Sequence, residues 1–98
     1  MKKMFNELTA GEVERLAILA EEMAETIQEI GKILRFGFEN YHLTAKYVNR
    51  EHLEMELGHV LWAVDLMKEK GDVSKTQIKE HAFERGNRPD NHLYHQRD

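Results

Sequence analysis

Two rows of ionisable side chains emerge when the chain is read at helical spacing. Glu21-Glu22-Met23-Ala24-Glu25 sets Glu22 and Glu25 three residues apart, with Glu29 one turn further on, so the three carboxylates share one helix face. Ile18 and Ile33 close the two ends of that row. Further along, His52, Glu56, His59 and Ala63 form a second row, and apolar residues flank it on both sides. Like charges at these spacings weaken a helix by a few tenths of a kcal/mol per pair. Carboxylates held against apolar surface cost several kcal/mol more unless something pairs them. A divalent cation is the economical partner, because hard carboxylate oxygens match Mg²⁺ or Mn²⁺. Glu22, Glu25 and Glu56 are therefore the candidate metal ligands, whereas Glu51, Glu54 and Glu69 read as solvated charges.

His59 admits two readings. As a ligand its imidazole suits Mn²⁺, Co²⁺ or Zn²⁺ better than Mg²⁺; as a half-buried histidine it has no ligand role. His52, one turn before Glu56, reads as a bystander, with an outer-shell partner of the site as the alternative. Gly58 costs a helix ~1 kcal/mol relative to alanine, which predicts a close approach there by another backbone or a ligand. Lys32 continues the acidic row and Arg35 follows it, so these two are the first cations available to bind a phosphate chain. Lys46, Arg50, Lys79, Arg85 and Arg88 form a wider set. Phe36, Phe38, Tyr41 and Tyr47 are the aromatics available to stack on a base. In the tail, His92 and His95 stand three apart, a chelating pair only if a helix carries them.

The elements that position these groups are helical. Thr9-Ala10-Gly11-Glu12 is a capping box, and Ser74-Lys75-Thr76-Gln77 repeats the pattern. Asn49 is the expected cap of a helix between them. Gly37, Gly71 and Gly86 are expected to take the left-handed conformation that ends each helix. The resulting spans are 10–36, 50–70 and 75–85, with a connector over 37–48 that has room for one helical turn. Residues 86–98 form a polar extension. In the first helix Leu16, Ala20, Met23, Ile27, Ile30 and Leu34 alternate steps of four and three, the seam of a packed helix pair. Leu53, Leu57, Val60, Val64 and Met67 do the same in the second. Two long helices with this connector are expected to fold back as an antiparallel hairpin. Met55, Trp62 and Leu66 lie roughly 140° from Val60, a second apolar row that predicts a dimer or larger oligomer with Trp62 near its interface.

Composition bounds the rest. The 98 residues make a single domain, and 18 acidic against 14 basic side chains leave a net charge of −4, which disfavours a nucleic-acid partner. With no cysteine there is no disulfide framework and no thiolate site. No apolar run exceeds five residues, as in 60–64, against the ~20 a membrane span needs. The amino-terminal Met1-Lys2-Lys3-Met4 has no apolar segment behind it, so no secretory leader is expected and the cytoplasm is the expected compartment. One proline among many charged residues points to an all-α chain.

Glu21-Glu22-Met23-Ala24-Glu25 on one helix and Glu56-Leu57-Gly58-His59-Val60-Leu61-Trp62 on the next resemble the MazG-like all-α nucleoside triphosphate pyrophosphohydrolases, over about residues 10–85. The resemblance implies a helical bundle, dimeric or tetrameric, that cleaves nucleoside triphosphates to monophosphate and pyrophosphate. It implies Mg²⁺ (or Mn²⁺) held by four acidic side chains, two from each helix. Carried over, these are Glu22, Glu25 and Glu56. The fourth, an aspartate, is replaced here by His59. The resemblance also offers Glu21 or Glu22 as the general base. An alternative expectation is a helical interaction module of the same fold with a decayed site, and a third is a metal-binding regulatory dimer using His59 with His92 or His95.

Overall fold

The computed structural model describes residues 5–41 and 46–97. The start of the amino-terminal segment read for a leader, and residues 42–45 of the connector, lie outside them. Among the described residues the chain is all-helical: α1 (Ala10–Phe36), α2 (Asn49–Glu69) and α3 (Lys75–Gly86). No helix among them is long and apolar enough to cross a membrane.

The helix starts follow local chemistry. The Thr9 hydroxyl accepts from the Glu12 amide at 3.2 Å, and the Glu12 carboxylate accepts from the Thr9 amide at 2.7 Å. Both halves of the expected box are present. Ser74 caps α3 by accepting from the Gln77 amide. Asn49 does not cap α2. It is already helical and buried, and its Nδ2 donates to the Gly37 carbonyl at 3.1 Å. The first amides of α2 are served instead by the connector backbone, Asn49 N–H donating to the Asn40 carbonyl and Arg50 N–H to the Phe38 carbonyl, while the Glu51 carboxylate accepts from the Val48 N–H. The difference arises because a tertiary bond to the end of α1 takes the side chain that local preference assigns to the cap.

Gly37 (φ 88°) and Gly71 (φ 81°) take the positive φ expected of them at the ends of α1 and α2. Gly86 does not: it is the last residue of α3, and Asn87 ends the helix by donating its Nδ2 to the Phe83 carbonyl. Nothing lies within 4 Å of where a Cβ on Gly58 would sit, so the close approach expected there is not made within the chain.

The faces of α1 are turned relative to expectation. The 4-3 row is the outer surface, with Ile27 at 68% and Leu34 at 82% exposure. The inward side of α1 is the polar row instead: Thr26 and Glu29 are buried, and Ile18, Glu22, Glu25 and Ile33 half-buried. Thr26 tolerates this because its hydroxyl donates to the Glu22 carbonyl at 2.8 Å. On α2 the deepest residues are Ala63, at 1% exposure, and Met67. Leu53, Val60 and Val64 are half-buried as the seam requires, but Leu57 is exposed. Spacing locates an apolar row; it does not say whether the neighbour covering that row belongs to the same chain.

Contacts between α1 and α2 run in opposite order along the two helices. Arg15 pairs with Asp72 just past α2, Glu22 meets His59, and the Gly37 carbonyl meets Asn49. The Arg15 fork engages both Asp72 oxygens, a bidentate, charge-assisted geometry. α3 buries no residue.

Candidate metal centre

The inward polar row of α1 and the Glu56 row of α2 face one another. Glu22, Glu25, Glu56 and His59 each offer a ligand atom, and the four atoms lie within 4.8 Å of one another. Helix periodicity accounts for the convergence: Glu22 and Glu25 are neighbours on one face, Glu56 and His59 on another, and α1–α2 packing brings the two faces together. Three residues are half-buried, and His59 stands at the rim, exposed.

The electrostatics of the cluster are unbalanced. His59 Nδ1 lies 3.1 Å from Glu22 Oε2 and 3.5 Å from Glu56 Oε2. Yet Glu22 Oε2 and Glu56 Oε2 are sealed from solvent and accept no hydrogen bond. Oxygens in that position forfeit hydration without replacement, which costs on the order of 1–3 kcal/mol each, and more for charged groups. Burial pushes the Glu56 carboxyl above the ordinary range. The adjoining Glu25 and Glu22 raise it further, and His59 opposes the shift. The charged form of Glu56 is thus disfavoured both by its burial and by the carboxylates beside it. Three carboxylates and one imidazole nitrogen at this separation suit a divalent cation, and the orphaned oxygens are where it would bind.

Glu29, a third inward carboxylate of α1, is buried but not part of the convergent group. Its Oε1 accepts from Lys32 Nζ at 3.2 Å, and its Oε2 is likewise sealed without a partner. The sequence placed Glu29 on the same row, and its burial was legible only from the flanking isoleucines. Glu21 is exposed and outside the four. Lys32 is half-buried on its ion pair, while Arg35 is exposed, with its guanidinium 5.4 Å from the Phe36 ring. Of the wider cations, Arg50 pairs with Glu39 and stacks on Phe38, and Lys46 lies over Tyr47. Tyr47 meets His52 edge-on at 6.0 Å, and His52 is not among the four convergent residues. The His92–His95 segment is exposed and not helical, so the helical condition for chelation is not met. His92 Nδ1 lies 3.4 Å from the Tyr94 hydroxyl.

No protein-family model, curated protein or solved structure matches the chain.

Proposed function

We propose that the chain is a metal-dependent nucleoside triphosphate pyrophosphohydrolase, cleaving NTP or dNTP to monophosphate and pyrophosphate in the cytoplasm. In this reading α1 and α2 form an antiparallel hairpin that completes a helical bundle as a homodimer or homotetramer. The observation that carries it is the convergence of Glu22, Glu25, Glu56 and His59 around oxygens that have lost water and found no donor. The resemblance of the two helical segments to the MazG-like enzymes supplies the reaction class.

A cation held by these four residues, Mg²⁺ or Mn²⁺, would neutralise phosphate charge and acidify a bound water. Glu25 and Glu56 act as ligands. Glu22 serves as ligand and, through its second oxygen, as proton acceptor from water attacking the α-phosphorus. Glu21, solvent-facing beside it, is the alternative acceptor. Lys32 and Arg35 lie about two and three turns beyond Glu25 on α1, and meet the phosphates furthest from the cut. Binding there requires Lys32 to exchange its Glu29 contact for a phosphate oxygen.

A second reading, a helical interaction module whose site no longer turns over, is favoured by one residue: His59, in the position of the fourth acidic ligand. Incubating the protein with a panel of nucleoside triphosphates and Mg²⁺ or Mn²⁺ separates the two. Pyrophosphate release that falls at least about a hundredfold in Glu56→Gln, with helicity retained, supports the enzyme. No release with any nucleotide and either metal supports the module.

A further inference from the structure

The side of the molecule turned away from His59 is built to be covered. Leu16, Ala20, Met23, Ile27, Ile30 and Leu34 form a continuous outer stripe of α1, and no charged residue interrupts it. The small residues Ala17, Ala24 and Gly31 run along one edge at intervals of seven, low enough for another helix to approach closely. At about 100° per residue, the stripe lies roughly 130° round α1 from the inward Glu22–Glu29 row. Leu57 and Leu61, also exposed, lie roughly 120° round α2 from the Glu56–Ala63 row, in the same rotational sense. Offsets of the same sense on helices whose contacts run in opposite order fall on one side of the pair. The two helices therefore share a single apolar face. By the same geometry His59, Met55 and Trp62 fall on the other side.

The chain is too exposed to stand alone. It presents 8438 Å² of surface, whereas a compact monomer of 11.6 kDa presents roughly 5,800 Å². Its radius of gyration is 17.3 Å, against about 12.6 Å for a compact chain of this length. Part of the roughly 2,600 Å² excess belongs to the extended tail and the weakly packed α3. The remainder is of the size that obligate partners bury, about 1,000 Å² or more per chain. Among the described residues, Ala63 and Met67 are the only buried apolar side chains. That core cannot offset the conformational entropy of ordering three helices. Whatever supplies the missing core must be present whenever the chain is folded, and a second copy of the chain is the one partner that always is.

We infer that this face, the α1 stripe with Leu57 and Leu61, docks against the same face of a second copy, leaving the Glu22–His59 cluster on the outside of the assembly. The inference rests on the oligomeric part of the proposed function and is independent of its chemistry. It also moves the expected interface from the Trp62 row to the opposite side.

Two methionines report on this directly, because Met23 at 50% and Met55 at 46% are almost equally exposed in the single chain but lie on opposite sides. The unmodified protein, in chelator and without nucleotide, is treated with dilute hydrogen peroxide, and sulfoxide formation at each methionine is followed by peptide mass. Sedimentation gives the assembly size in the same buffer. The expected result is a dimer or larger species in which Met23 is oxidised at least about tenfold more slowly than Met55. A single-chain mass at micromolar concentration overturns the inference, as does equal oxidation of the two or protection of Met55 instead. Neither readout uses turnover, so a failed nucleotide assay leaves this result standing, and the reverse.

Discussion

His59 Nδ1 stands 3.1 Å from Glu22 Oε2, a nitrogen of α2 facing a sealed carboxylate oxygen of α1 that accepts no hydrogen bond. On the proposed reading, this nitrogen would stand where the resemblance implies a fourth carboxylate oxygen. The donor set would then be mixed, and a mixed set discriminates among divalent ions differently from a purely oxygen one.

Replacing that nitrogen with oxygen tests the assignment. In His59→Asp, the ratio of Mg²⁺-supported to Mn²⁺-supported pyrophosphate release rises by about tenfold or more, equivalent to ~1.4 kcal/mol. An unchanged ratio places His59 outside the ligand set.

Glu56 gives metal-free protein a pH dependence of definite sign. Its carboxyl is held above the ordinary value by burial and by Glu25. A raised pKa contributes stability that is fully present below the unfolded-state value, near 4.5, and lost as the pH climbs through the folded-state value. In chelator, this group therefore makes the wild type less stable at neutral pH than in mildly acid buffer, relative to Glu56→Gln. The difference in Tm between the two proteins, measured from pH 4 to pH 8, widens in favour of Glu56→Gln as pH rises. Saturating Mn²⁺ reverses the order at neutral pH, because only the carboxylate gains from the cation.

Asp72 has the opposite sign. Hydrogen bonding to Arg15 holds its carboxyl below the usual 3.8. A depressed pKa contributes stability present above the unfolded value and lost as the pH falls through the lower folded one. Asp72→Asn thus lowers Tm at pH 7, and the gap to wild type closes below about pH 3.8. A constant gap from pH 7 to pH 2 shows that the pair contributes through packing alone.

Among the described residues Ala63 is the most enclosed apolar one, at 1% exposure, where α2 packs against α1. Ala63→Leu forces the helices apart and costs ~1–3 kcal/mol in urea unfolding. Trp62→Ala, one position along and outward-facing, costs less in the same measurement.

The helices and their Thr9 and Ser74 starts were legible because capping is decided within four residues. So were the Gly37 and Gly71 stops, which need only a backbone conformation. Asn49 and Gly86 depart from the local pattern where something beyond it intervenes: a bond from Asn49 to the Gly37 carbonyl, and an Asn87 side chain that ends α3 one residue later. The convergence of Glu22, Glu25, Glu56 and His59 was legible in part. Spacing puts each pair on one face, but only packing shows that the two faces meet. The apolar 4-3 row of α1 is legible as a row, but α2 does not cover it, because periodicity locates an apolar stripe without saying what, if anything, packs against it.

The Arg15–Asp72 fork and the Asn49–Gly37 bond fasten α1 to α2 on either side of the Glu22–His59 cluster. On the proposed reading, an ion held there would lie between walls already fastened at both ends, and widening them would strain one clamp or the other. Calcium, whose oxygens sit at ~2.3–2.6 Å, would then be at a disadvantage against ions served at ~2.0–2.1 Å. Contacts that never touch the ion would in that case help set the calibre of what fits between them.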